Sequence, residues 1–183
     1  MTSTSTFSLV FALALLVGLG AKLWLASRQI RHVAAHRGQV PSAFVEAISL
    51  SAHQKAADYT VAKSRLGLLE LAYGAALLLG WTLLGGLDFL NQWLLQWMEG
   101  GMAQQLALLI SFAVIGGVLD LPFTLYQTFV IEERFGFNKM TWKLWLTDAA
   151  KGAVLGALIG LPIAWVVLWL MGAAGGLWWL WAW

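Results

Sequence analysis

In a chain where only 11% of residues are charged, the segment from 120 to 139 gathers Asp120, Glu132, Glu133, Arg134 and Lys139, together with Tyr126 and Asn138. Ionisable groups set against membrane-grade apolar sequence are costly to desolvate, so this cluster is expected to serve a site. Read alone, Glu132, Glu133 and Arg134 also compose a solvated, salt-bridged turn, and exposed pairs of that kind are common and weak. Both readings stay open at the level of residue types. His32 and His36 lie four residues apart on one helical face, the spacing of the zinc-binding HExxH motif, but Val33 stands where the glutamate base is needed. No HExxH, GxSxG or phosphate-binding glycine loop occurs in the 183 residues. The absence of cysteine excludes disulfides, thiolate metal sites and cysteine nucleophiles.

The elements that must position these residues are membrane helices. Sixty per cent of the chain is hydrophobic and it holds 12 tryptophans, far from soluble composition. A net charge of +2 is too small to point to nucleic acid. Apolar blocks at about 7–26, 66–87, 102–122 and 152–171 are each long enough to span, since a crossing takes roughly 20 residues. Residues 177–183 begin a fifth stretch, and seven residues as a helix reach only about 10 Å. The expected fold is therefore all-α and polytopic: four full spans plus the start of a fifth, with cytoplasmic helical extensions, in a single membrane domain over residues 1–183. The first block lacks the basic start of a signal peptide and is read as a retained span.

Several local expectations follow. As one helix, residues 102–131 would run about 45 Å against a hydrocarbon core of about 30 Å, so a kink is expected at Pro122, carrying 123–131 out of the bilayer or into a cavity. The alternative is a span ending near Asp120, then an amphipathic surface helix. Arg28, Arg31, Arg37, Lys55, Lys63 and Arg65 crowd one connection and Arg134, Lys139, Lys143 and Lys151 another, while 88–101 has no Lys or Arg. The positive-inside rule places the basic connections in the cytoplasm and the N-terminus outside. Leu90, Trp93, Leu94 and Trp97 predict a short interfacial helix in the outer connection. Ser51-Ala-His-Gln54 has the form of a capping box and predicts a helix start, and Pro41-Ser42 predicts a short helix holding Phe44, Val45 and Ile48. Gly152, Gly156 and Gly160 form a smooth helix-packing face, with a hinge near Pro162 as its alternative. Trp165, Trp169, Trp178, Trp179, Trp181 and Trp183 read as an aromatic belt.

The stretch Leu121-Pro-Phe…Tyr126…Phe-Val-Ile-Glu132-Glu133-Arg134-Phe-Gly136-Phe-Asn138 resembles a signature of the integral-membrane CAAX prenyl protease type I family of zinc metallopeptidases. The upstream His53-Gln-Lys55-Ala-Ala-Asp58-Tyr59-Thr-Val-Ala-Lys63 resembles that family's entry into its second span. The resemblance covers essentially the whole chain, as the family's N-terminal membrane domain. It implies a helical cage around an intramembrane chamber, and cleavage of prenylated CAAX-type or membrane-associated peptides by zinc-activated water. It implies that the HExxH region follows the fifth span, so that this chain alone has no cofactor, zinc being implied for the full-length protein, and is inactive. Asp120, Tyr126, Glu132, Glu133, Arg134, Asn138 and Lys139 become candidates for the chamber wall, with Arg134, Asn138 and Lys139 meeting substrate backbone or carboxylate and Glu132 or Glu133 bracing Arg134. The implied partners are the lipid bilayer, a peptide substrate, and the missing C-terminal zinc-protease region or a separate membrane protein. Compact loops point to a bacterial inner membrane. Two other functions stay in view: a free-standing scaffold pairing through the glycine face, and a small transporter with Asp120, Glu70 and Lys22 as its polar path.

Overall fold

The computed structural model describes residues 3–182. Among these, all regular structure is helical: α1 (Ser3–Ala35), α2 (Leu50–Thr82), α3 (Gly86–Leu95), α4 (Met102–Tyr126), α5 (Trp142–Ala174) and α6 (Trp178–Ala182). A 3-10 turn at Ser42–Phe44 precedes α2, a π-turn at Gln127–Glu132 continues α4, and a second 3-10 turn, Gly175–Leu177, joins α5 to α6. Three stretches are long and apolar enough to cross a membrane: Thr6–Ala35, Met102–Glu132 and Trp142–Trp181; α2 and α3 qualify only jointly, as a broken pair. The protein is thus an all-helical membrane protein with three to four candidate spans among the described residues. Trp183 of the expected belt and of the 177–183 stretch lies outside them.

The chain divides into two compact units, one running through Gly86 and including Asp120–Asn138, the other made of Leu87–Leu119 and the residues from Lys139 onward. In the first, α1 packs on α2, and α2 on the π-turn. The helix α1 continues past residue 26 through Ala35 because 27–35 contains no Gly or Pro, and Arg28 lies 4.8 Å over the ring of Trp24. Its end is clasped to α2: Arg37 donates twice to the Asp58 carboxylate, at 2.7 and 2.8 Å, and His53 Nε2 donates to the His36 carbonyl at 3.0 Å.

The start of α2 differs from the expected capping box. Ser49, not Ser51, is the cap: its backbone is extended (φ −68°, ψ 150°) and its hydroxyl accepts from Ala52 N at 3.2 Å, while Ser51 Oγ sits inside the first turn, 3.1 Å from Ser49 Oγ. A cap needs non-helical backbone as well as a side-chain oxygen, and only Ser49 has both. The helix expected after Pro41 shrinks to the single turn Ser42–Phe44, with Val45 and Ile48 beyond it and exposed.

Residue 122 does not end α4. The helix passes through Pro122 to Tyr126, and the change of hydrogen-bond register comes later, over Gln127–Glu132. A π-turn brings residues five apart into line, and accordingly Gln127 Nε2 donates to Glu132 Oε1 at 3.4 Å. The same widened turn seats Ile131, 5% exposed, among the buried apolar residues.

In the second unit, α3 forms where its apolar spacing predicts a helix, burying Leu90 and Leu94, although Trp97 falls beyond its end. The buried amide of Gln104 donates to Asn91 Oδ1 at 2.6 Å, which satisfies a polar group that burial would otherwise penalise. Thr141 caps α5 by accepting from Leu144 N at 3.2 Å. Gly152, Gly156 and Gly160 lie along α5, and a Cβ added at any of them would meet nothing within 4 Å.

Candidate functional site

The polar run is shaped by a helix termination. After the π-turn, Gly136 takes φ +70°, its N–H bonds the Glu133 carbonyl at 2.9 Å, and Phe137 N–H bonds the Glu132 carbonyl at 2.8 Å. This is the paired-bond C-cap that favours glycine, because a Cβ crowds the left-handed backbone. The reversal sends Phe137 back onto α2, where Tyr59 meets it edge-on at 4.9 Å and Phe135 at 5.5 Å, with Lys55 Nζ 5.3 Å from the Phe137 ring. It also brings Asn138 over the preceding turn, so that Asn138 Nδ2 donates to Glu133 Oε2 at 2.9 Å.

These contacts change the expected pairing. Neither Glu132 nor Glu133 braces Arg134: the π-turn aims Glu132 at Gln127 and the glycine reversal aims Asn138 at Glu133. Among the described residues the ion pair is Arg37–Asp58. Arg134 instead lines two neighbouring clefts. The first, about 450 Å³, has Leu66, Leu69, Phe123, Tyr126 and Ile131 in its walls, with Arg65 and Arg134. The second, about 460 Å³, holds Arg37, Asp58 and Val61, and shares Ala62, Arg65, Arg134 and Phe135 with the first.

Asp120 lies elsewhere, in a cleft of about 330 Å³ with Glu70, Tyr73, Phe123 and Thr124. Glu70 also lines a cleft of about 340 Å³ with Lys22. Of the candidates, Arg134 and Tyr126 therefore come together, Asp120 stands in its own cleft, Glu133 and Asn138 form a bonded pair, and Lys139 is exposed. Arg65 joins Arg134 although its only visible signal was its place at the edge of an apolar block. The Arg37–Asp58 clasp had no local signal, its partners being 21 residues apart.

Asp58 is held below the usual carboxylate range, first by the hydrogen bond from Arg37, against a desolvation penalty, with the charges of Arg37 and Arg134 adding to the effect. Arg37 is raised by the same bond. A carboxyl whose folded-state pKa is depressed contributes stability above its unfolded pKa and loses it as pH falls through the folded value. Acidification below the ordinary carboxylate range is therefore expected to loosen the end of α1 from α2. Amide exchange at residues 36–40 should accelerate there, whereas Asp58→Asn should show the faster exchange already at neutral pH and little further change.

No three His, Asp or Glu side chains converge as metal ligands among the described residues. His36 Nδ1 donates to the His32 carbonyl at 2.8 Å, and the two rings lie 4.2 Å apart. Among the described residues these histidines have no third ligand beside them to fit a zinc site.

Residues 29–183 match the family described as CAAX prenyl protease N-terminal, five membrane helices. The CAAX prenyl protease 1 homolog of Homo sapiens is 30% identical over 190 residues, which covers 95% of this chain and 38% of that protein. CAAX prenyl protease 1 of Saccharomyces cerevisiae is 42% identical over 71 residues, 39% of this chain and 16% of its own. The crystal structure of S. mikatae Ste24p superposes with a TM-score of 0.81 at 26% identity, over 90% of this chain and 39% of that one. The chain thus spans well under half the length of each of these relatives.

Proposed function

Because this chain belongs to the family of CAAX prenyl protease N-terminal membrane domains, we propose that it builds part of the wall of an intramembrane chamber in a zinc metalloendopeptidase acting on prenylated CAAX-type or membrane-associated peptides. The reading is carried by the turn from Glu133 to Asn138. It is a preorganised polar element, tied back by Gly136 and by Tyr59 against Phe137, and it stands where the Met102–Glu132 span ends. On this reading Asn138 and Lys139 meet the peptide backbone or carboxylate, Glu133 holds the Asn138 amide in orientation, and Tyr126 and Asp120 belong to the part of the wall nearer the bilayer. On the same reading the metal and its activated water are supplied by a separate zinc-binding region of the protease.

The finer topology is part of the same proposal: four full spans and the start of a fifth, basic connections on the cytoplasmic side, N-terminus opposite. A bacterial inner membrane, to which the compact loops point, has no counterpart among the relatives named above, which are eukaryotic. A second reading, a scaffold pairing with another membrane protein, is favoured by the open glycine face of α5.

Joining the chain to a following zinc-binding region is expected to give chelator-sensitive cleavage of a farnesylated peptide in proteoliposomes, with no cleavage by the 183 residues alone. Cleavage that persists after chelation, or an extended protein that stays inert while folded, contradicts the proposal.

A further inference from the structure

Two arginines stand at the boundary between apolar and polar sequence. Arg65 immediately precedes Leu66, where the apolar part of α2 begins, and Arg134 lies just past Glu132, the end of the Met102–Glu132 span. Both line the same two clefts. Their neighbour Arg37 is matched by Asp58, but among the described residues neither Arg65 nor Arg134 has a carboxylate within ion-pair distance. Arg134 rests over the Phe135 ring at 5.7 Å. Asp58, the carboxylate in the shared cleft, is taken up by Arg37; two guanidinium groups without an ion-pair partner at a membrane boundary attract an anion, and the planar donor fork of arginine suits a phosphate.

The order of the surroundings says which kind of anion. On one side of the pair is a groove walled by Leu66, Leu69, Phe123, Tyr126 and Ile131; on the other is the cleft containing the Arg37–Asp58 clasp. A ligand filling both has an apolar chain, then a negative charge, then a polar head. That is the arrangement of a glycerophospholipid, whose phosphodiester lies between acyl chain and headgroup. A peptide ending in a carboxylate places its charge last and leaves the second cleft empty. We propose that Arg65 and Arg134 form a binding site for one anionic phospholipid of the leaflet at which they emerge, the phosphate on the guanidinium pair and an acyl chain along the apolar groove. A zwitterionic lipid fits less well, because its ammonium group brings positive charge toward two unmatched arginines.

The test uses the protein in nanodiscs of phosphatidylcholine with and without phosphatidylglycerol, read by lipid retention in native mass spectrometry and by thermal melting. One phosphatidylglycerol should be retained in preference to phosphatidylcholine and should raise the melting temperature. That preference should fall roughly fivefold for each arginine removed in Arg65→Ala and Arg134→Ala. The Lys63→Ala variant loses the same charge from α2, the helix that carries Arg65, and should keep the preference, with circular dichroism comparing the fold of every variant. Equal retention of the two lipids by the wild type overturns the proposal, as does a preference that survives the double arginine variant. Displacement of phosphatidylglycerol by an apolar peptide with a free carboxylate, but not by its amide, overturns it in favour of a peptide subsite.

Discussion

Replacing Ile131 by alanine is expected to lower resistance to unfolding by denaturing detergent by at least about 2 kcal/mol, the lower end of the range for large-to-small core substitutions. Ile131 is 5% exposed and Leu66, in the wall of the same cleft, 7%. Few side chains are buried among the described residues, so those that are carry much of the attachment between α2 and the π-turn. The lower end applies because the adjoining cleft lets the site relax on one side. Val130 is the control: it is 46% exposed, and Val130→Ala should stay within about 0.5 kcal/mol. Titration of both variants with sodium dodecyl sulfate, followed by tryptophan fluorescence, separates the two. Equal losses would mean that Ile131 is not a packing contact in the membrane-embedded protein.

The second large effect is expected at Gly136. A side chain at φ +70° costs about 1–2 kcal/mol for an L-residue, and a β-branched one more, so Gly136→Val should cost more than Gly136→Ala. The added Cβ would sit 3.6 Å from Lys55 Nζ, an ordinary contact, which leaves backbone strain as the cause. The consequence for the site is larger than for stability. Relaxing the turn removes the bonds from Gly136 and Phe137 to Glu133 and Glu132 and withdraws Asn138 from Glu133. If the proposed function holds, Gly136→Val in the protein joined to a zinc-binding region should therefore lower kcat/KM by more than its loss of folded protein explains. A glycine-to-alanine change in α5 has the opposite sign: Gly152→Ala meets open space and should favour the helix by up to about 1 kcal/mol. A Gly136→Val protein with normal turnover would remove the turn from the account.

What was legible beforehand depended on how local each determinant is. The apolar blocks at 7–26, 102–122 and 152–171 fall within helices, whereas the block at 66–87 is broken after Thr82, where Gly85 takes φ +80° before α3 begins; α3 itself follows from the spacing of Leu90, Trp93 and Leu94, because helix formation is read over neighbouring residues. The choice of Ser49 over Ser51 turned on the backbone angles of one residue, which two serines separated by Leu50 do not reveal. Pro122 was the visible anomaly, yet the register change came at Gln127–Glu132, where the widened turn packs on α2 and no single residue announces it. The candidate site was half legible. Its density of ionisable residues marked the segment, but the partners of Glu132, Glu133 and Arg134 were set by the π-turn and the glycine reversal. Arg65 entered only through the tertiary packing of α2 against the end of α4, beyond the reach of spacing rules.

A photoreactive residue at position 138, in the protein joined to a zinc-binding region and loaded with zinc, reads whether the turn ending at Asn138 meets substrate as proposed. A cross-link to a farnesylated peptide that unlabelled peptide suppresses by competition is expected, and none above background from position 158, on the exposed surface of α5. Equal labelling at positions 138 and 158, or labelling at 138 that competitor leaves unchanged, would contradict it.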